Sequence, residues 1–354
     1  MSDAGYGIAL IRGDGIGAEL VESAAAVLER AAAPEGCQLV LRDEQAGAGC
    51  FVRTGVNIEA DTLERLRTDY DAVLKGPVGL PDVRREDGTE AGLLGGVLRT
   101  ELDTYANVRP IQLLPGVRAP VTHDAIDYVI VRENTEGLYA SRGNGVANRH
   151  AASDVLFMTR PGIERVVRFA FEVAQRRSGA PEDGVSRVTC VDKSNVLKSF
   201  ALFRAIFDEV AGEFPEIAAD HLYSDAAAQA LVAWPGHFDV LVMENFLGDL
   251  LSDLGAGTIG GLGMCPAANV GDRYAYFEPV HGSAPDIAGK NAANPTSQVL
   301  AAALMLDHLG ELAAAERIRD AVRRAYADGA VRLDSYGRPE CGTTGVTSAI
   351  LDRL

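Results

Sequence analysis

Lysine is nearly missing from this chain. Of its 33 basic residues only Lys75, Lys193, Lys198 and Lys290 are lysines, and the rest are arginines. A given lysine, Lys193 included, is therefore less a casual surface charge here than in an average protein. Long apolar runs are also absent: no stretch of about 18 hydrophobic residues exists that could span a membrane. Met1–Ala4 leads straight into a strand-like segment with neither a basic n-region nor an apolar h-region, so no secretory signal is expected. Cysteine is scarce, odd in number and scattered: Cys37, Cys50, Cys190, Cys265 and Cys341 form no C-x-x-C pair. Free thiols in a reducing cytoplasm are expected, not a disulfide framework. Positive charge is in deficit overall. A net charge of -17 disfavours nucleic acid and anionic membrane as partners, although a local arginine cluster can still hold an anionic ligand.

What is present is a rhythm. The 354 residues, 47% of them hydrophobic, are enough for about two domains with well-buried cores. Tyr6–Ile11 predicts a buried strand, and Ile16, Leu20, Ala24, Val27, Leu28 and Ala31 follow at helical spacing. Further strands are expected at Gln38–Leu41, Ala72–Leu74, Ile126–Val131, Val188–Val191 and Val240–Met243. Helices are expected at Asp61–Thr68, Gly162–Arg177, Leu197–Val210, Gln298–His308 and Leu312–Tyr326, with Gly345–Leu354 closing the chain. Such alternation predicts a layered α/β architecture. The polar, glycine-containing Gly143–Ser153 interrupts it, as a loop or as an arm reaching a partner subunit.

Four segments carry chemistry. Gly13-Asp14-Gly15-Ile16-Gly17 links a strand to a helix, but its third glycine comes one residue too early for a dinucleotide fingerprint. Taken alone it is a glycine-rich turn. Arg99, Arg109 and Arg132 lie on separate segments, the last two expected at strand ends. Together they could converge on a di- or tricarboxylate through bidentate forks, whereas any one alone reads as a surface arginine. Asp249 and Asp253, in Asn245-Phe246-Leu247-Gly248-Asp249-Leu250-Leu251-Ser252-Asp253, are four apart and share a helix face. Like charges so placed need a cation between them, for which a hard divalent ion such as Mg2+ or Mn2+ is suited; a carboxylate pair near a helix N-terminus is the competing explanation. Finally, Glu278-Pro279-Val280-His281-Gly282-Ser283-Ala284-Pro285-Asp286-Ile287-Ala288-Gly289-Lys290, followed by Ala293-Asn294-Pro295, must form an irregular loop with free backbone donors and acceptors.

These blocks, in this order and across essentially the whole chain, resemble the isocitrate/3-isopropylmalate dehydrogenase family of β-decarboxylating dehydrogenases. The resemblance implies a two-domain α/β fold that is not a Rossmann fold. Residues 1–104 plus 256–354 would form a large cofactor-binding domain, and 105–255 a small domain with the dimer interface. It implies carboxylate binding by Arg99, Arg109 and Arg132, catalytic roles for Tyr139 (proton donor to C3) and Lys193 (base at the C2 hydroxyl), and metal ligation by Asp249 and Asp253 with Asp225 of a second copy. The lysine, too, would come from the second copy, so a homodimer with shared sites is expected. The loop from His281, Gly282, Ser283, Ala284, Asp286 and Ile287 to Asn294 would bind adenosine. A carboxylate at Asp286 favours ribose hydroxyls over a 2′-phosphate, which points to NAD.

The substrate would be a small 2-hydroxy diacid with a malate unit, its C3 group read by Leu93, Leu94 and Gly95. The segment Gly92-Leu93-Leu94-Gly95-Gly96 lacks the polar residues of one isocitrate branch and has a glycine pair where isopropylmalate enzymes are bulky. Val131-Arg132-Glu133-Asn134-Thr135-Glu136-Gly137 resembles instead the D-malate/tartrate, homoisocitrate and NAD-isocitrate branches. The leading expectation is a 3-isopropylmalate-type or related 3-alkylmalate dehydrogenase. D-malate/tartrate comes second, and homoisocitrate or isocitrate third, with Arg84 or Arg85 as the basic group that role would need. A non-catalytic regulatory subunit is disfavoured, because Tyr139, Lys193, Asp225, Asp249 and Asp253 are all kept.

Overall fold

The computed structural model describes residues 5–86, 88–121 and 125–354. Its framework is one ten-stranded sheet. The strands are β1 (Tyr6–Ile11), β2 (Leu39–Glu44), β3 (Ala72–Lys75), β4 (Ala106–Gln112), β5 (Asp127–Glu133), β8 (Arg187–Asp192), β9 (Ala218–Tyr223), β10 (Val240–Met243), β11 (Pro266–Val270) and β12 (Ala275–Pro279). Two further short strands, β6 (Val146–Ala147) and β7 (Ala152–Ser153), form a separate ribbon. The order across the sheet is β2-β1-β3-β12-β11-β4-β5-β10-β8-β9. Four parallel strands lie at each end, β2-β1-β3-β12 and β5-β10-β8-β9, and the quartets are joined through antiparallel pairings at β12-β11, β11-β4 and β4-β5. Parallel strands need covered faces. Helices Gly17–Ala32, Thr296–His308 and Leu312–Ala327 pack on Ile8, Leu10, Leu74 and Phe277, while Arg160–Gln175 and Lys198–Ala211 pack on Val129, Val131, Val188, Cys190, Val240 and Val242.

The register decides where chemistry can sit. Arg132 opposes Asn107, Asn107 opposes Asn269, and Asn269 opposes Tyr276, so these four form one row across the central strands. Side chains two residues apart share a face, which adds Arg109 from β4 and Glu278 from β12. This polar strip is flanked on the same face by two apolar patches. Leu66, Leu94 and Leu98 cover Ala9, Ile11, Val73 and Tyr276 on one side. The helix Asn245–Thr258 lies over β5 and β4 on the other. The strip runs along the floor of the cleft between them.

Most predicted strands and helices stand within a few residues of their expected bounds. In the main sheet β9, β11 and β12 were not anticipated, nor were the short strands β6 and β7 outside it. The edge strand β9 is largely exposed, and the central pair carries polar or proline residues where an apolar alternation was sought. Arg109 was expected at a strand end and lies in mid-strand instead. The segment Gly143–Ser153 contains the exposed β6-β7 ribbon. Among the described residues no helix is long and apolar enough to cross a membrane, and all five cysteines are free.

The glycine-rich turn works as a structural hub. Asp14 is buried, and its carboxylate accepts from Ala48 N (2.8 Å), Gly49 N (2.9 Å) and Gly79 N (2.8 Å). Gly15 has φ +56, and a Cβ there would lie 2.0 Å from the Ser283 carbonyl, which accepts from Ile16 N at 2.8 Å. One turn thus ties together three loops. Asp14→Asn replaces an acceptor by a donor facing backbone N–H groups, and should lower unfolding free energy by about 1–3 kcal/mol in urea titration.

Candidate functional site

The cleft wall from the middle of the chain is built around Glu244. This buried residue caps the helix Asn245–Thr258 by accepting from Leu247 N (3.1 Å), and its other oxygen accepts from Leu138 N (3.0 Å). A single carboxylate therefore fixes the helix that carries Asp249 and Asp253 against the turn that carries Tyr139. Asp249 lies in the second turn of that helix, beyond reach of the N-terminal dipole that the simpler reading of the pair invoked.

Arg132 is held by Asn245 Oδ1, to which it donates from Nε (3.0 Å) and Nη2 (2.7 Å), and its Nη1 closes an ion pair with Asp249. Arg109 donates to Asn107 Oδ1 (2.7 Å), Ser252 Oγ (2.6 Å) and Asp253 Oδ1 (3.3 Å), and stands 3.4 Å from Asp249. The Tyr139 hydroxyl donates to Asp249 Oδ2 at 2.8 Å, and its ring meets Phe246 edge-on. Burial by itself would raise the Asp249 carboxyl, but Arg132 and Arg109 outweigh it and hold it below the usual range. Burial pushes Asp253 up, with Arg109 partly offsetting. Burial, then Arg99 and Arg109, pull the Arg132 guanidinium down. The Tyr139 phenol is raised by burial and by its bond to Asp249. Three arginines against two aspartates leave the cluster short of negative charge, and the buried Arg99 Nε has no hydrogen-bond partner among the described residues. Both facts favour an anionic ligand.

The opposite wall is the loop after β12. His281 and Gly282 face the cleft together with Lys75, Glu278, Leu93, Gly95 and Arg99, enclosing about 240 Å3. Burial depresses the His281 pKa, and among the described residues its buried Nε2 and the nearby Gln298 Oε1 have no hydrogen-bond partner. Such orphaned atoms suit a polar ligand such as a nucleotide. Ala284 adopts φ +36, Asp286 is exposed on the turn Pro285–Ile287, and Ile287 packs on Ile16, Leu20 and Ala293. Ser283 Oγ donates to Gly79 O, which anchors the loop. Asn294 is buried and engaged internally, with Oδ1 accepting from Thr296 N (3.1 Å) and Nδ2 donating to Tyr326. Leu94 borders the cleft but sends its side chain wholly into the core, so Leu93 and the glycine pair are the surface it offers. A Cβ at Gly95 would stand 3.9 Å from Arg99 Nε, an ordinary contact.

The remaining two predicted residues sit apart. Lys193 Nζ pairs with Asp225 Oδ1 at 2.6 Å, and among the described residues neither bonds to the arginines or to Asp249 and Asp253. Lys193, expected among arginines, is in its own chain beside a carboxylate, which lowers the Asp225 pKa. Within one chain the metal donors brought together are thus two carboxylates, and no group of three His, Cys, Asp or Glu side chains occurs among the described residues. The pair is of the hard-oxygen type that fits Mg2+ or Mn2+, with the remaining positions left to water, substrate oxygens or a carboxylate from outside the chain's own cluster.

Sequence reasoning missed a buried relay behind the arginines. Arg109 Nε donates to Asn107 Oδ1 (2.7 Å), Asn107 Nδ2 to Asn269 Oδ1 (2.7 Å), and Asn269 Nδ2 to Glu278 Oε1 (3.0 Å). Glu278 Oε2 is paired with Lys75 at 2.6 Å. Each amide is oriented by the one before it. The rare lysine at the end of β3 was the available signal. Asn269→Asp keeps the acceptor but sets a second carboxylate against Glu278. Calorimetry should show dicarboxylate affinity about tenfold weaker, with the melting transition still cooperative.

Comparison with known proteins agrees with this geometry. The sequence profile of the isocitrate/isopropylmalate dehydrogenase family matches residues 7–350. The chain is 43% identical over 337 residues to the 3-isopropylmalate/3-methylmalate dehydrogenase of Methanocaldococcus jannaschii, covering 93% of this chain and 94% of that one. It is 40% identical to the isocitrate dehydrogenase [NADP] of Thermus thermophilus, across 98% of this chain and 67% of the relative. The crystal structure of isocitrate dehydrogenase from Methylococcus capsulatus superposes with a TM-score of 0.87 at 40% identity, covering 98% of this chain and 99% of that one. The chain therefore belongs to the isocitrate/isopropylmalate dehydrogenase family of oxidative decarboxylases.

Proposed function

We propose that this protein is an NAD-dependent enzyme that oxidises and decarboxylates a 3-substituted malate of the 3-alkylmalate type, working as a homodimer with shared sites. The observation that carries the reading is the convergence of Arg109, Arg132, Tyr139, Asp249 and Asp253 on a cleft whose far wall is the His281–Asn294 loop. Relatives named for 3-isopropylmalate support the alkylmalate class.

Arg99, Arg109 and Arg132 bind the carboxylates of the malate unit. Lys193 of a second copy takes the proton of the C2 hydroxyl as the C2 hydride leaves. Its separation from its own chain's arginines, and the exposed Val196, Leu197, Tyr223 and Leu250 on neighbouring elements, support a partner completing the site. The C3 carboxylate then leaves as CO2, its bonding electrons passing into a C2–C3 enolate, and Tyr139 delivers the proton that C3 takes up; burial and the bond to Asp249 raise the phenol pKa. Asp249 and Asp253, with Asp225 of the second copy, would hold Mg2+ or Mn2+, which supplies polarisation of the 2-oxo group. NAD accepts the hydride, and the exposed Asp286 favours it over NADP by repelling a 2′-phosphate. Free thiols and the lack of a membrane-crossing helix among the described residues fit a cytoplasmic enzyme.

The direct test is reduction of NAD and NADP at 340 nm with Mn2+ on 3-isopropylmalate, D-malate and isocitrate. Turnover of a malate with NAD preferred supports the proposal, and no turnover by a folded dimer sinks it. Two variants sharpen it. Tyr139→Phe removes the proton donor to C3 and should lower steady-state turnover by at least about tenfold, while NAD still binds. Asp249 is the internal counter-ion of two arginines, so Asp249→Asn should tighten dicarboxylate binding measured without metal and yet remove metal-dependent turnover.

A further inference from the structure

The cleft has a second, larger lobe of about 780 Å3, which shares Leu93, Gly96, Arg99 and Arg142 with the first. Arg142 belongs to the turn after Tyr139, on the middle part of the chain, whereas Gly96 lies in the first turn of the short helix Gly95–Glu101 on the other side of the cleft. A Cβ added at Gly96 would lie 2.7 Å from Arg142 Nη1. The space beside Gly96 is therefore occupied by a guanidinium reaching across from the facing wall. That guanidinium is not engaged: among the described residues Arg142 makes no side-chain hydrogen bond and no ion pair. A second cation, Arg85, lines the same lobe, where among the described residues its guanidinium makes a long bond to Asn57 Oδ1 (3.5 Å) and lies over the Phe51 ring. The lobe also holds Glu90 and Glu101, of which Glu101 is already paired with Arg67 at 2.6 Å.

An apolar C3 substituent would gain little here. It would have to strip water from a free guanidinium without offering it an acceptor, an unfavourable exchange. A substituent ending in a carboxylate would satisfy the same fork bidentately. Arg142 is also placed to do this at the right point, because the lobe opens from Arg99, which the malate carboxylate occupies under the reading above.

We propose that Arg142 is a specificity-determining residue that receives a carboxylate at the end of the substrate's C3 substituent, over the space left by Gly95 and Gly96. The inference rests on the malate-type reading of the site and narrows it from alkylmalates in general to those whose alkyl group is carboxylate-terminated.

The test is a ratio. kcat/KM is measured on malates bearing carboxymethyl, carboxyethyl and isopropyl groups at C3, in the full-length dimer and in the variants Arg142→Gln, Arg142→Lys and Gly96→Val. A carboxylate-bearing substrate should be preferred over isopropylmalate. Arg142→Gln should lower the preference ratio by about 10- to 100-fold, the loss of a charge-assisted bond, and mainly through KM. Arg142→Lys should restore part of it, and Gly96→Val, which displaces the guanidinium, should act as Arg142→Gln does. Because Arg142 is exposed, the melting temperature should not move. Preference for isopropylmalate, or a ratio indifferent to Arg142, overturns this inference and leaves the dehydrogenase reading standing. Failure of every malate overturns both.

Discussion

The chain of hydrogen bonds from Arg109 through Asn107 and Asn269 to the Glu278–Lys75 pair is the constraint on which the cleft depends. It crosses β4, β11, β12 and β3 where the sheet changes from antiparallel to parallel. Charges this deeply placed are tolerable only if each polar atom is paired, and here the pairing is nearly complete. Asn134 closes the remaining side, donating to Asn269 Oδ1 (2.9 Å) and to Thr104 O (2.8 Å). A rigid polar floor results, and it sets the distance between the arginines on one side and the loop of His281 on the other.

Above that floor the design is one of competing counter-ions. Asp249 meets Arg132, Arg109 and Tyr139 at once, and Asp253 shares Arg109 with it. An anion bound by these arginines would compete with Asp249, and a cation bound by Asp249 would share it, so under the proposed function the two would be coupled through one side chain. Glu244 ensures that the participants arrive together, since the helix bearing Asp249 and the turn bearing Tyr139 hang from the same carboxylate.

Much of this was legible in the sequence. Val240–Met243 stood at its predicted bounds, and Arg109, Arg132, Asp249 and Asp253 do converge. What escaped was the material that reads as neither apolar nor catalytic. β11 and β12 were hidden because their inward positions are Asn269, Tyr276 and Glu278, so no alternation of apolar residues marks them. The relay asparagines looked like ordinary loop or cap residues, since an amide reveals its role only when both ends have partners. Leu94 could not be told from Leu93 by pattern, although one is core and the other faces the cleft. Lys193 and Asp225 were assigned by resemblance, and only coordinates could show that one chain holds them together and away from its own arginines.

The strand order carries a consequence for how the molecule is made. β3 pairs with β12 at Val73–Tyr276 and Leu74–Phe277, so the quartet that begins the chain is completed by strands from its last third. During synthesis β1, β2 and β3 emerge with one edge unpaired, and the whole middle of the chain must appear before that edge is capped. Non-local pairing of this kind is slow and exposes a strand edge meanwhile. The middle quartet β5-β10-β8-β9, contiguous in sequence, has no such wait. It is the natural unit to fold first, leaving the chain's two ends to meet around it.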